Sequence, residues 1–468
     1  MIVPRNRLLV WVALVVLPFA LLAGVEPAAA LLSFTIMGSF ALAVVVDAFG
    51  ARRSLVGLRA ELPEVVRMSK DRPGKVDVRL GNPSQRARPI RIGLAMPNEI
   101  ESVVEDLTVA LPAGSEWSHV AWDCTPRLRG SFRLDTFHVE GVSPLGFWAG
   151  RRRLPVNCEV RSYPNLLTER KNLAALFLNR GAFGLHAQRQ VGKGRDFEKL
   201  REYVPGDGYD EIHWKATARR GKPITKVFQI ERTQEVYVVI DASRLSARRP
   251  AVESNRLQVA GSSGRDATEN LQSSTFNLQP ESTLERFITA SLVLGLAAEQ
   301  QGDLFGLLTF SDKIETFVRA KNGKAHYSAC RDALYLLQPK IVSPDFEELF
   351  TFLRLRLRHR ALLVVLTALD DPVLADGFVR NLDLIRNQHL VLVNMLQPPG
   401  ATPAFTHPDV VSFDDLYQRL GGHLQWQKLR ELEKVLQRRG VAFSQLANER
   451  LSADLVSQYL NVKRRQLL

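Results

Sequence analysis

The side chains best able to act together lie in one stretch, Arg195-Asp-Phe-Glu-Lys-Leu-Arg-Glu-Tyr-Val-Pro-Gly-Asp-Gly-Tyr-Asp-Glu-Ile-His-Trp-Lys-Ala-Thr-Ala-Arg219, continued by Arg220-Gly-Lys-Pro223. Arg201, Lys215, Arg219 and Arg220 are interleaved with Glu202, Asp207, Asp210 and Glu211. As a bare charge pattern this describes a salt-bridged surface turn that adds little stability. Pro205-Gly206-Asp207-Gly208 has the composition of a tight turn, since glycine supplies positive φ and aspartate bonds its own backbone. Tyr203 and Trp214 are expected to anchor it. Acid–base chemistry would need His213, Asp207 and Asp241 to converge; beside Trp214, His213 reads more simply as packed or hydrogen-bonded.

Other chemistries lack their residues. The pairs Gly221-Lys222 and Gly323-Lys324 carry Ala216 and Val318 where a phosphate loop needs its first glycine. Pro223 and Ala325 stand where it needs Ser or Thr, so nucleotide hydrolysis is not expected. The nine histidines show no His-x-x-x-His or His-Glu-x-x-His spacing, and no Gly-x-Ser-x-Gly elbow precedes a helix. Cys124, Cys158 and Cys330 are too far apart in sequence for a close-spaced zinc or redox pair. They read as buried, reduced thiols.

The elements that would hold these residues follow from length and patterning. At roughly 150 residues per domain, 468 residues predict about three units. Residues 8–25 and 28–46 are uncharged apolar runs separated by Glu26-Pro27. An 18-residue helix is roughly 27 Å long, enough to cross a bilayer. A cleaved signal peptide is the competing reading, with Ala28-Ala29-Ala30 as its cleavage site; the second apolar run and Arg52-Arg53 behind it argue for a hairpin. Arg5 and Arg7 before the hairpin and Arg52 and Arg53 after it predict two transmembrane helices in the inner (cytoplasmic) membrane with both termini cytoplasmic. A net charge of +13 favours acidic partners, anionic lipid among them; no nucleic acid partner is expected.

Short alternating segments such as Lys75-Val-Asp-Val-Arg-Leu80 and Pro89-Ile-Arg-Ile-Gly-Leu94 predict a β-sandwich of immunoglobulin-like size. From Glu235-Val-Tyr-Val-Val-Ile-Asp241 onward, strands at 304–310, 361–367, 389–395 and 441–446 alternate with helix-period stretches. These stretches run over 284–299, 326–337, 346–357, 373–385, 426–438 and 453–463. The alternation predicts a doubly wound α/β sheet with 314–318 as an antiparallel edge. The expected organisation is a transmembrane hairpin (1–54), a β-rich module (55–165), a signature segment (166–234) and an α/β domain (235–468). A polar insertion at 248–282 is expected to be mobile.

The signature segment resembles that of domain-of-unknown-function family 58. Arg129-Gly-Ser-Phe132, Ser143-Pro-Leu-Gly-Phe147 and Gln458-Tyr-Leu-Asn-Val-Lys-Arg-Arg465 carry the resemblance across almost the whole chain. It implies a membrane hairpin, a β-rich module and a von Willebrand factor type A-like (Rossmann-type) domain. It also implies partnership with a MoxR-type AAA+ ATPase in assembly or chaperone-like processes. In such a domain Asp241, Ser243 and Thr367 would fall on metal-ligand positions. Leu245 and Ala368 replace two further ligands, so the set is expected to be degenerate and no cofactor is expected, too few oxygens remaining to hold Mg²⁺ tightly. The resemblance also makes Arg201, Tyr203, Gly206, Asp207, Trp214 and Arg219 a docking or organising element. The chain is therefore expected to be a non-enzymatic, membrane-anchored interaction scaffold or adaptor. The alternatives are a metal-dependent ligand binder that borrows a partner's carboxylate, and a hydrolase without a recognisable motif.

Overall fold

The computed structural model describes residues 1–83, 87–167, 169, 191–204, 208–209, 212–229, 234–248, 282–403 and 413–465. They fall into two compact units, Met1–Asn165 and Leu166–Leu468. Residues 205–207 of the expected turn and 249–281 of the expected insertion lie outside the described residues.

In the first unit, helices α1 (Asn6–Val25) and α2 (Pro27–Arg53) are both long and apolar enough to cross a membrane. Only 6% of the most apolar window of each is buried, so this surface does not serve the protein's own core. Pro18 cannot donate to a preceding carbonyl, and the π-helical turn over Val12–Val16 precedes it. Ahead of α1, strand β1 (Ile2–Pro4) pairs antiparallel with β10 (Trp148–Tyr163) through Ile2–Gly150, Val3–Ala149 and Pro4–Trp148. Both ends of the hairpin thus meet the same β structure.

That structure is a sandwich. One sheet has the order β1, β10, β9 (Gly130–Val142), β5 (Arg88–Leu94), β7 (Leu107–Leu111), with β3 (Val65–Ser69) parallel to β10. The other has the order β2 (Arg59–Glu61), β4 (Gly74–Gly81), β8 (Trp117–Pro126), β6 (Ile100–Glu101). Val76, Val78 and Leu80 from β4 share one core with Ile90, Ile92 and Leu94 from β5, as the period-two alternation requires. Cys124 and Cys158 are buried and free in this core, and burial pushes both thiols up to about 11.

The loop Ser143-Pro-Leu-Gly-Phe147 locks the sandwich to α2. The buried carboxylate of Asp47 accepts hydrogen bonds from Ser143 Oγ at 2.6 Å, Leu145 N at 2.9 Å and Phe147 N at 3.1 Å. Trp148 Nε1 donates to the Val44 carbonyl at 3.0 Å, and Phe147 packs edge-on against Phe40. Gly146 closes the loop at φ +79°, a conformation costly for residues with a Cβ.

The second unit opens with an antiparallel hairpin of β11 (Val191–Glu202) and β12 (Ile224–Gln229), with α3 (Trp214–Arg220) in the connection. A six-stranded sheet follows, in the order β15 (Ile314–Lys321), β14 (Leu304–Phe310), β13 (Glu235–Asp241), β16 (Ala361–Leu366), β17 (Leu390–Leu396), β18 (Ala442–Leu446). All pairings are parallel except that of the edge strand β15 with β14. Val236, Val238 and Ile240 of β13 pack with α4 (Thr283–Gln300), α5 (Lys324–Leu334) and α9 (Leu451–Arg465). Tyr237 and Val239 face α6 (Phe346–Arg356), α7 (Pro372–Leu382) and α8 (Phe413–Arg438). Two buried faces explain the unbroken apolar run of β13.

The C-terminal motif closes this unit at the amino ends of the strands. Asp303, just before β14, accepts from Gln234 N at 3.2 Å, Lys463 Nζ at 2.8 Å and the Tyr459 hydroxyl. One helical turn separates Tyr459 from Lys463, so both reach the same carboxylate. Burial and Asp303 push the Tyr459 hydroxyl above its ordinary value.

Three expected helix bounds are corrected: α5 ends at Leu334 and α7 at Leu382, each three residues early, and the start of α8 shifts most. Helix α8 begins at Phe413, not at 426, because Gly421 and Gly422 lie inside it rather than ending it.

Two predictions arise here. Asp47→Ala strands three donors and is expected to cost about 3 kcal/mol, read as a lowered thermal midpoint of the purified full-length protein; wild-type stability would refute the lock. Glu159 is held down at about 2, first by Arg161 and then by Ser131. Its stabilising share is therefore complete above the ordinary value of 4.5 and is lost as pH falls toward 2. Ser131→Ala should move that acid loss to higher pH in urea melts.

Candidate functional site

The chain passes from β13 to its neighbour β14, on to the edge strand β15, and returns across β13 to β16. Strand order reverses between β13 and β16, and the crevice beyond their carboxyl ends is where ligands bind in open α/β sheets. Asp241 ends β13 and Thr367 follows β16, both fully buried. Thr367 Oγ1 donates to Asp241 Oδ2 at 2.6 Å, and Ser243 N donates to Oδ1 at 2.8 Å. Ser243 Oγ in turn accepts from Leu245 N at 3.3 Å.

Neighbouring loops hold this turn in place. Ala242 N donates to the Phe310 carbonyl at 2.7 Å, Lys340 N to the Ala242 carbonyl at 2.7 Å, and Arg244 N to the Val342 carbonyl at 3.0 Å. The Arg244 guanidinium reaches Ser343 Oγ, so Asp241 is met by a backbone amide and a hydroxyl. Burial raises the Asp241 carboxyl above its ordinary value, and the bonds from Ser243 and Thr367 oppose the shift.

The sequence-predicted metal residues Asp241, Ser243 and Thr367 are thus brought together, but they supply one carboxylate and two hydroxyls. Mg²⁺ prefers octahedral oxygen with anchoring carboxylates. Asp370, the acidic residue after β16, is paired with Arg248 instead. Among the described residues no group of three or more His, Cys, Asp or Glu could hold a metal. The donor set does not fit a resident divalent cation.

The signature residues sit elsewhere in the unit, on the β11–β12 hairpin. Arg201 pairs in register with Thr225, and Tyr203 N donates to the Pro223 carbonyl at 3.0 Å. Tyr203 stacks on Tyr209 with ring centroids 6.3 Å apart. His213 Nδ1 accepts from Ala216 N at 3.0 Å and caps α3. Gly221, at φ +66°, ends that helix, with Arg219 in its last turn. The anchoring role expected of Trp214 is corrected: it opens a short exposed helix and is itself 68% exposed. Gly206 and Asp207 lie outside the described residues.

A surface that sequence reading missed lies on α8. Phe413, Leu416, Tyr417, Leu420 and Leu424 recur at helical spacing, and each is at least half exposed. At 100° per residue they fill an arc of about 100° on one face. Gly422 points about the opposite way, where an added Cβ would lie 2.0 Å from the Gly400 carbonyl oxygen. The helix therefore packs by its glycine side and turns the apolar stripe outward.

The Asp241 crevice yields a pH test. A raised carboxyl favours folding below its ordinary value of 3.8 and loses that share as pH rises toward the folded value. Thr367→Val removes a donor to the ionised form, so it should cost about 1–2 kcal/mol near neutral pH and less in acid. Urea melts across pH 4 to 8 with a constant difference would refute this.

Residues 199–260 and 267–402 match the family model described as "Protein of unknown function DUF58". No curated protein matches the chain. Solved structures with local similarity include proximal thread matrix protein 1 of the mussel byssus, at 12% identity and TM-score 0.23, covering 48% of this chain and 45% of that one. The chain thus spans less than half the length of that protein. Murine CRIg aligns at 13% identity and TM-score 0.13, covering 22% of this chain and 98% of that one. An uncharacterized membrane spanning protein from Vibrio fischeri aligns at 13% identity and TM-score 0.17, covering 50% of this chain and 98% of that one. The segment that runs from the signature hairpin across the Asp241 crevice is thus similar to the DUF58 family over about two fifths of the chain.

Proposed function

We propose that this protein is a membrane-anchored interaction scaffold or adaptor whose α/β domain docks a MoxR-type AAA+ ATPase in assembly or chaperone-like processes. The observation that carries this reading is the outward apolar stripe of α8. Five large apolar or aromatic side chains on one helix face, exposed where a glycine holds the other face against the domain, have the pattern of a helix-in-groove contact. The strand order supports a von Willebrand A-like reading of the domain. The donor set around Asp241 favours a binding fold over a metal-dependent one. The ATPase itself is suggested by the sequence resemblance. Arg5, Arg7, Arg52 and Arg53 outside the two apolar helices favour cytoplasmic termini in the inner membrane, where such a partner could reach the domain.

The test is the double variant Leu416→Glu/Leu420→Glu in the full-length protein. Both side chains are half exposed, so the melting temperature should hold within the range of ordinary surface substitutions, about 0.5 kcal/mol. Recovery of the ATPase in pull-downs from detergent extracts should fall at least about tenfold, the loss of a modest interface anchor. Undiminished recovery would discard α8 as the docking face.

A further inference from the structure

Where α2 ends, the first unit encloses a cleft of about 540 Å³. Arg52, Arg151 and Arg152 line one part of it; Ile2, Leu55 and Val56 line the other. Among the described residues that line it there is no carboxylate. Arg151 uses its Nε on Glu140 at 2.7 Å, and Arg152 uses one Nη1 on the Leu55 carbonyl at 3.3 Å. Each guanidinium carries five N–H groups, so both keep donors for another ligand. Arg52 lies in the last turn of α2 and Val56 is 65% exposed just beyond it. An adjoining cleft shares Arg151 and Arg152 and adds Arg91 and Arg153, but Glu105, Asp106 and Glu140 line it too, so the unopposed basic wall is that of the first cleft.

From this geometry we infer a binding site for the phosphate of an anionic phospholipid headgroup. Guanidinium groups match phosphate in charge and in paired N–H geometry. A free phosphate ion would use the arginines alone. Ile2, Leu55 and Val56 give the cleft an apolar wall suited to the glycerol and first acyl carbons. The cleft also opens where an apolar helix long enough to cross a membrane reaches its basic end, the level at which headgroups lie. The inference rests on the membrane-anchored reading above, and β1 contributes by carrying Ile2 back beside α2.

Full-length protein would be placed in nanodiscs of phosphatidylcholine, with and without phosphatidylglycerol, and the lipid retained after detergent extraction weighed by native mass spectrometry. Phosphatidylglycerol should be retained about tenfold over phosphatidylcholine. Arg52→Gln/Arg152→Gln should remove that preference, because basic side chains near a membrane surface attract anionic lipid. Arg52→Lys/Arg152→Lys, which keeps the charge, should retain part of it and guards against a loss caused by misfolding. Equal retention of both lipids by the wild type, with normal entry into the discs, overturns the site and leaves the anchor standing. Displacement of the lipid by millimolar inorganic phosphate would make it a free-anion site and overturn the lipid assignment. Failure to enter phosphatidylcholine discs at all would sink the anchor and the site together.

Discussion

A single carboxylate on an apolar helix organises the first unit. Asp47 sits near the end of a segment long and apolar enough to cross a membrane, where an unpaired charge is expensive. It is tolerable because three donors from one loop converge on it, two of them backbone amides that loop closure at Gly146 aims inward. The loop amides gain a partner they would otherwise lack on burial. The helix thereby acquires one fixed rotation against the sandwich. The Trp148 indole on the Val44 carbonyl and the Phe40–Phe147 contact add further fixed points along the same helix face.

The second unit places buried carboxylates at opposite ends of its sheet and treats them differently. Asp303, at the amino ends, is neutralised by a lysine and bonded to a tyrosine, an amide and nothing that could leave. That is a structural clamp between α9 and the start of β14. Asp241, at the carboxyl ends, receives an amide and a hydroxyl but, among the described residues, no cation, and burial works against its ionisation. The chemically unsettled end is the one where the topology opens a crevice.

Much of this was readable before folding. The two apolar runs, the alternation of β4 and β5 and the strand–helix alternation after Glu235 each obey one local period, and local periods survive into the structure. The family motifs were visible as strings, but their work was not. Ser143-Pro-Leu-Gly-Phe147 makes sense only with Asp47, about a hundred residues earlier, and Tyr459 with Lys463 only beside Asp303. Non-local pairs of this kind leave no spacing to read. The first turns of α8 were missed for a different reason. Gly421-Gly422 carries the usual mark of a helix end, yet here the missing side chain admits the Gly400 carbonyl and the helix runs on. The stripe from Phe413 to Leu424 lies ahead of the expected helix start at 426, so no helix face was read there.

The pairing of β1 with β10 has a temporal side. Ile2 is synthesised long before its partner Gly150, which follows both apolar helices and most of the sandwich. That part of the sheet edge therefore stays open until residues 2–4 have returned to it. Without residues 2–4 the Trp148–Gly150 end of β10 keeps an unpaired rim, the kind of exposed strand edge that pairs with other chains. Completion of the sheet therefore requires the residue stretch before α1 and the one after α2 to meet on the same side of the two apolar helices.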